Sequence, residues 1–145
     1  VFYFSVHQLE LKEDFFEVSK KSKVTKGAKK IDEEILTKLN QEITHHKIYL
    51  REGLTIRQLA EVLLVKEYKL RQTINQQLGF KNFNEFINAY RIKEACSILS
   101  DTAKKEVTVM EVAYTTGYTS LTPFNKAFKK ITGLTPTAYR KAHLP

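Results

Sequence analysis

From Asp32 to the carboxyl end, apolar residues recur three and four positions apart, the spacing that lines one face of an α-helix. Ile35, Leu36, Leu39 and Ile43 form the first stripe, continued by His46 or Tyr49, with Asp32 placed to cap it. Past Gly53, Thr55 caps a short helix bearing Ile56, Leu59, Ala60 and Leu63. A further helix from about Glu67 turns Leu70, Ile74 and Leu78 inward and stops at Gly79. Asn82 opens a longer helix whose inward face reads Phe83, Phe86, Ile87, Tyr90, Ala95, Ile98 and Leu99. Thr108 caps one bearing Val109, Val112 and Ala113, which Gly117 breaks, and the next, from about Leu121, carries Phe124, Ala127, Phe128 and Ile131 up to Gly133. Thr135-Pro136 starts a last short helix with Tyr139 and Arg140, where proline is tolerated because its missing amide has no intrahelical partner. No segment alternates at the strand period, so the expected fold class is all-α.

Two stretches of this pattern repeat. Leu54, Thr55, Leu59 and Ala60 match Val107, Thr108, Val112 and Ala113 at an offset of 53, and Leu70, Ile74 and Gly79 match Phe124, Phe128 and Gly133 at an offset of 54. The slip of one falls between Ala60 and Leu70, where a turn is expected, and matches in this order argue against chance resemblance of amphipathic helices. The shared unit is a capped helix, a small alanine, a short turn, a second helix and a glycine, which is the helix-turn-helix layout. The alanines suit it, because two short helices crossing steeply leave little room at closest approach. The predicted division is residues 1–31, an amino-terminal segment and basic linker, and residues 32–145, a domain of two helix-turn-helix units. These units occupy about 54–79 and about 107–133 and are joined by a linker helix over about 82–99. That helix spans roughly 25 Å at 1.5 Å per residue. Two units on such a rod suit successive major grooves, which recur about every 34 Å along one face of B-DNA.

Composition sharpens the picture. With 145 residues, 42% of them apolar, the chain can bury a core. Its net charge of +8 favours an anionic partner, either nucleic acid or an anionic membrane. The excess is localised: residues 1–45 hold eight lysines and eight acids, whereas residues 46–145 hold sixteen Lys or Arg and eight acids. Residues 19–30 carry six lysines with one Val and one Ala as their larger apolar content, too little to offset ordering by burial, and read as a linker. Phe2, Phe4, Val6, Leu9, Leu11, Phe15 and Phe16 ahead of it would pack on the domain, dimerise, or continue a membrane helix. The aromatic opening reads as the stub of a longer chain. Cys96 is the only cysteine, so no intrachain disulfide forms and a reducing compartment fits. No apolar run approaches the roughly 18 residues of a membrane span, and no signal peptide is recognisable.

The stretch Val109-x-x-Val112-Ala113-x-x-x-Gly117-Tyr118-x-Ser120, Phe124-x-x-Ala127-Phe128-Lys129-Lys130, Gly133-x-Thr135-Pro136-x-x-Tyr139-Arg140 resembles the signature of the AraC/XylS family of bacterial transcription regulators. The resemblance covers about residues 47–141 and includes Leu54-Thr55-x-x-x-Leu59-Ala60 and Asn82-Phe83-x-x-Phe86-Ile87-Asn88-x-Tyr90-Arg91-Ile92 upstream. It implies a homeodomain-like double helix-turn-helix domain, double-stranded DNA as partner, and RNA polymerase as a second partner if the protein activates. The second upstream string is similar to a subgroup in which such domains end larger proteins, often membrane-bound sensors. That implies a cytoplasmic, nucleoid location, or the cytoplasmic face of the inner membrane. Departures are Lys66, where the family usually opens the first recognition helix with Ser or Thr, and Ile74, where Phe is usual. Nothing in residues 1–45 looks like the sugar-binding barrel of well-known members.

A recognition helix reads bases with outward side chains near its amino end. In the first unit Tyr68, Lys69, Arg71, Gln72 and Asn75 face out. Arg71 suits guanine and Gln72 adenine through paired hydrogen bonds, and Tyr68 suits a thymine methyl. In the second unit Thr122, Pro123, Asn125 and Lys126 face out, with less capacity for paired bonds. The resemblance places Tyr68, Arg71, Gln72, Thr122, Pro123 and Lys126 at base-contacting positions. Thr55 and Thr108 at helix amino ends, with Lys129, Lys130 and Arg140, are candidates for phosphate; Arg140 could instead tie the last helix to the core. Lys104 and Lys105 are read as solvent-facing.

An enzyme is not expected, since the chain has no glycine-rich phosphate loop, paired cysteine ligands, His-Glu-x-x-His or Gly-x-Ser-x-Gly. His45 and His46 point about 100° apart on a helix and suit no shared metal; His7 and His143 read as surface or core-edge residues. No cofactor is expected. The rival reading is a non-specific nucleoid-binding or protein-docking basic module, which selectivity against bulk DNA would distinguish.

Overall fold

A computed structural model describes residues 32–145, and every regular element among them is helical. The expectations for the amino-terminal apolar positions and the lysine-rich linker fall outside the described residues. The chain divides into two compact units: residues 32–48 with Leu54–Phe86, and Tyr49–Gly53 with Ile87–Pro145.

In the amino-terminal unit, α1 (Glu33–Thr44) starts where the Asp32 carboxylate accepts the Ile35 amide at 3.3 Å, and it buries Ile35, Leu36, Leu39 and Ile43. The stripe ends there: His46 lies exposed past the helix. Tyr49 is buried, but from a 3-10 turn, Ile48–Leu50, and it belongs to the other unit. α2 (Ile56–Leu63) opens on a reciprocal cap, in which Gln58 N–H donates to Thr55 Oγ1 at 3.2 Å and Thr55 N–H donates to Gln58 Oε1 at 3.0 Å. Such a cap stabilises a helix start by about 1 kcal/mol.

α3 (Glu67–Gln72) passes into a wider π turn, Thr73–Gln77, closed by a Leu78 amide to Thr73 carbonyl bond at 3.0 Å. Leu70, Ile74 and Leu78 are all buried, and the i→i+5 bonding widens the turn between Ile74 and Leu78.

α4 (Phe83–Leu99) is one continuous helix. Asn82 lies just before it as a cap, its Oδ1 accepting the Glu85 amide at 2.9 Å. From Ile87 onward α4 belongs to the carboxyl-terminal unit, which continues through α5 (Val109–Thr115), α6 (Leu121–Thr132) and α7 (Pro136–His143). Ile92, Ala95, Leu99, Val112, Ala113, Phe124 and Phe128 form its solvent-excluded centre. Aromatic rings chain through it: Tyr118 to Phe124 at 5.2 Å, Phe124 to Phe128 at 5.7 Å, and Phe128 edge-on to Tyr139 at 5.5 Å. Truncating either phenylalanine to alanine removes about 3–5 kcal/mol. Cys96 sits in the same centre, where burial pushes its thiol up to about 11.

Candidate nucleic-acid interface

The two repeats close their turns with the same bonds. The Val65 amide reaches the Ala60 carbonyl at 3.0 Å and the Leu64 amide reaches Glu61 at 3.2 Å; Tyr118 reaches Ala113 at 3.0 Å and Gly117 reaches Tyr114 at 3.1 Å. Each pair is related by the offset of 53. Leu64 and Gly117 are equivalent, and both have positive φ, 57° and 92°. The repeats part company two residues later. Lys66 directly precedes α3, whereas Thr119 intervenes between Tyr118 and Ser120 ahead of α6. Thr119 is the extra residue that changes the offset to 54.

Both turns need a left-handed residue, but only one is crowded. A Cβ on Gly117 would stand 2.8 Å from the Leu50 carbonyl oxygen and 3.0 Å from Arg91 Cζ and Nε. Arg91 cannot readily yield: its Nε donates to Tyr49 O at 2.6 Å, its Nη2 donates to Arg51 O at 2.8 Å, and its guanidinium lies 5.4 Å from the Tyr118 ring centroid. Burial pulls the Arg91 pKa down, opposed by Tyr118. The Tyr118 hydroxyl donates to Asn88 Oδ1 at 2.7 Å, fixing the other side of the same turn. In the amino-terminal unit the equivalent Leu64 is 87% exposed.

The turns set down two helices of similar design. Along α3, Leu70 is buried while Tyr68, Lys69, Arg71 and Gln72 are exposed, and Asn75 is exposed on the π turn. Arg71 Nη2 pairs with Glu67 Oε1 at 2.6 Å, and Gln72 Nε2 donates to Gln76 Oε1 at 3.3 Å. Along α6, Phe124, Ala127 and Phe128 are buried while Thr122, Pro123, Asn125 and Lys126 are exposed. α6 stays α-helical throughout, with Phe124, Phe128 and the half-buried Ile131 on its inner face. Among the described residues, nothing engages the side chains of Thr122, Asn125 or Lys126. Neither α3 nor α6 receives a side-chain cap: Lys66 has no acceptor to offer, and the Ser120 hydroxyl makes no such bond.

The phosphate candidates fare differently. Thr55 and Thr108 both cap helices, but the reciprocal partner at Thr108 is a carboxylate. Thr108 N–H and Oγ1–H donate to Glu111 Oε2 at 2.6 and 2.7 Å. These bonds hold the Glu111 carboxyl below its ordinary pKa, and its negative charge opposes a phosphate at that end. At Thr55 the partner is neutral Gln58. Lys129 and Lys130 are exposed in the last turn of α6, where cations also complement the helix dipole. Arg140 is partly buried and its Nη2 donates to the Val107 carbonyl, which ties α7 to the segment before α5.

Sequence reasoning missed the equivalence of Leu64 and Gly117, the acceptors Gln58 and Glu111, and the work of Arg91 and Asn88. The capping signal was legible, since Thr-x-x-Gln and Thr-x-x-Glu are capping-box patterns. Arg91, a charge between inward Tyr90 and Ile92, was a weaker signal. Among the described residues, no helix is long and apolar enough to cross a membrane, and no three His, Cys, Asp or Glu are grouped to hold a metal.

Two capped-helix, tight-turn, exposed-helix repeats in an all-α chain define a helix-turn-helix protein, and a family profile described as "Helix-turn-helix domain" matches residues 59–142. Over 103 residues the chain is 30% identical to an uncharacterised HTH-type transcriptional regulator of Staphylococcus aureus (strain COL), covering 71% of this chain and 13% of that protein. It is 34% identical over 91 residues to the melibiose operon regulatory protein of Escherichia coli (strain K12), covering 62% of this chain and 28% of that one. Its structure is similar to the C-terminal domain of AraT, a response regulator from Geobacillus stearothermophilus, with TM-score 0.67, 26% identity, and 81% and 91% of the two chains covered. The chain belongs to the AraC/XylS family of helix-turn-helix transcription regulators. It spans a small part of the length of the curated relatives it matches.

Proposed function

We propose that the chain binds DNA sequence-specifically and reads two successive major-groove segments, one with α3 and one with α6. The observation that carries this reading is the duplication of local geometry: the same turn bonds precede two helices whose inner faces are buried and whose outer faces are polar, basic and exposed. On α3, Arg71 and Gln72 have the donors and acceptors for guanine and adenine edges, and Tyr68 offers a ring to a thymine methyl. On α6, Thr122, Pro123 and Lys126 contact bases with fewer paired bonds, so the first segment carries more of the discrimination. Lys129 and Lys130, with the amino end of α2 at Thr55, fix the domain on phosphates. Arg140 and Thr108 act within the protein fold.

The test is titration of Arg71→Ala and Lys126→Ala against a set of duplexes differing by single base pairs. Each substitution relaxes preference at its own segment, by about 1–3 kcal/mol per base pair for Arg71. Lys129→Ala lowers affinity evenly across sequences and flattens the salt dependence by about one unit of slope. Uniform weakening by all three substitutions contradicts base reading and leaves the non-specific basic module.

A further inference from the structure

The two outward helices differ in one respect that composition does not reveal. On α3 both hydrogen-bonding readers are held by a residue four positions away: Arg71 by Glu67 at 2.6 Å on its amino-terminal side, and Gln72 by Gln76 of the π turn at 3.3 Å on its carboxyl-terminal side. On α6 no partner among the described residues engages Thr122, Asn125 or Lys126. We infer that Glu67 and Gln76 are specificity-determining positioning residues, which hold Arg71 and Gln72 in the orientations that pair with base edges. This inference rests on Arg71 and Gln72 being readers.

The chemistry favours orientation over stability. The Arg71 and Glu67 side chains are 53% and 42% exposed, and a pair so open to solvent contributes little to folding. An unrestrained arginine has many rotamers and reaches phosphate as easily as guanine. With one terminal nitrogen bonded to Glu67, the guanidinium samples fewer orientations, and less freedom remains to be lost on docking to a base. Glu67 also places a negative charge on the exposed face, which penalises a slide of Arg71 towards the backbone and hence non-specific attachment. Gln76 works on a neutral group. By accepting one Nε2 hydrogen of Gln72 it selects one amide orientation, leaving the second hydrogen and Oε1 for the two-bond contact with adenine. Gln76 lies in the π turn Thr73–Gln77, so the widened backbone there sets where this brace stands.

The experiment uses the whole chain and three variants: Arg71→Ala, Glu67→Gln and Gln76→Ala. Each is titrated against the preferred duplex, against duplexes with the guanine or the adenine of the first segment replaced, and against random-sequence duplex, with thermal unfolding measured in parallel. Arg71→Ala lowers discrimination at the guanine at least about fivefold if it is a reader; an unchanged ratio overturns both the reading of Arg71 and this inference. Given that result, Glu67→Gln is expected to lower guanine discrimination about 3- to 10-fold, to raise affinity for random duplex, and to leave the unfolding midpoint nearly unchanged. Gln76→Ala is expected to lower discrimination at the adenine alone. If Glu67→Gln instead lowers the midpoint and weakens all duplexes equally, Glu67 merely supports the helix and the inference is overturned. Unchanged ratios for both brace variants overturn it as well.

Discussion

Replacing Gly117 by alanine tests the packing of the second turn more sharply than any core truncation. At φ 92° an L-residue is strained by roughly 1–2 kcal/mol. The added methyl would also stand 2.8 Å from the Leu50 carbonyl oxygen. That atom is backbone, and the Arg91 atoms at 3.0 Å belong to a side chain bonded to Tyr49 O and Arg51 O, so relief requires moving a turn or breaking those bonds. Overpacking of this kind costs about 1–3 kcal/mol. Alanine restricts the unfolded chain and returns about 0.4–1 kcal/mol, leaving a net loss of roughly 1.5–4 kcal/mol. At about 4 °C per kcal/mol for a domain of this size, the midpoint falls roughly 6–16 °C. The matched control is Leu64→Gly, which removes left-handed strain at the equivalent turn where the side chain is 87% exposed. Relief of about 1–2 kcal/mol against a glycine entropy cost of about 0.5–1 kcal/mol makes it neutral to slightly stabilising. Urea unfolding and calorimetry of both variants read the difference. A Gly117→Ala protein within about 0.5 kcal/mol of the parent refutes the crowding argument, as does Leu64→Gly proving the more damaging of the two.

Two further outcomes follow from the same region. Arg91→Ala removes charge-assisted bonds to the Tyr49 and Arg51 carbonyls and lowers stability by about 1.5–3 kcal/mol in urea unfolding. Arg91→Lys restores less than half of it, because an ammonium lacks the planar fork; full restoration contradicts the geometry. Glu111→Gln probes the capping carboxylate. The Thr108 bonds hold the folded Glu111 pKa below its ordinary value, so its stabilisation is present above the unfolded pKa of about 4.3 and is lost as pH falls through the folded value. The parent's advantage over Glu111→Gln therefore holds near neutrality and shrinks on acidification, measured as unfolding midpoints from pH 7 downward. An advantage that grows towards acid reverses the assignment.

Much of the fold was legible because helical burial obeys a short-range period. Ile35, Leu39, Leu59, Leu70, Phe124 and Phe128 are all buried as their spacing implies, and the repeat could be aligned because the first helix of each unit opens on a capping threonine and carries an alanine before the turn. The wide turn at Thr73–Gln77 was not legible as such. Its apolar residues are four and four apart, but so are Ile35, Leu39 and Ile43 in the regular helix α1, so the spacing does not mark it. Leu64 hid its equivalence to Gly117 because leucine seldom adopts positive φ. Tyr49 continued the stripe of α1 by count alone; the helix ends at Thr44, and the ring is buried in the carboxyl-terminal unit. Arg91 depends on partners some forty residues away, which a local reading does not connect. The exposed candidates Tyr68, Arg71, Gln72 and Lys126 were legible as outward positions, whereas the Glu67 and Gln76 braces required coordinates.

The most direct test of the central claim is selection of this chain on randomised duplex DNA in excess non-specific competitor, with Arg71→Ala and Lys126→Ala carried through the same selection. The account predicts a site with two motifs about one helical turn apart, the first relaxed by Arg71→Ala and the second by Lys126→Ala. Recovery of no motif, with both variants only weakening attachment, contradicts it.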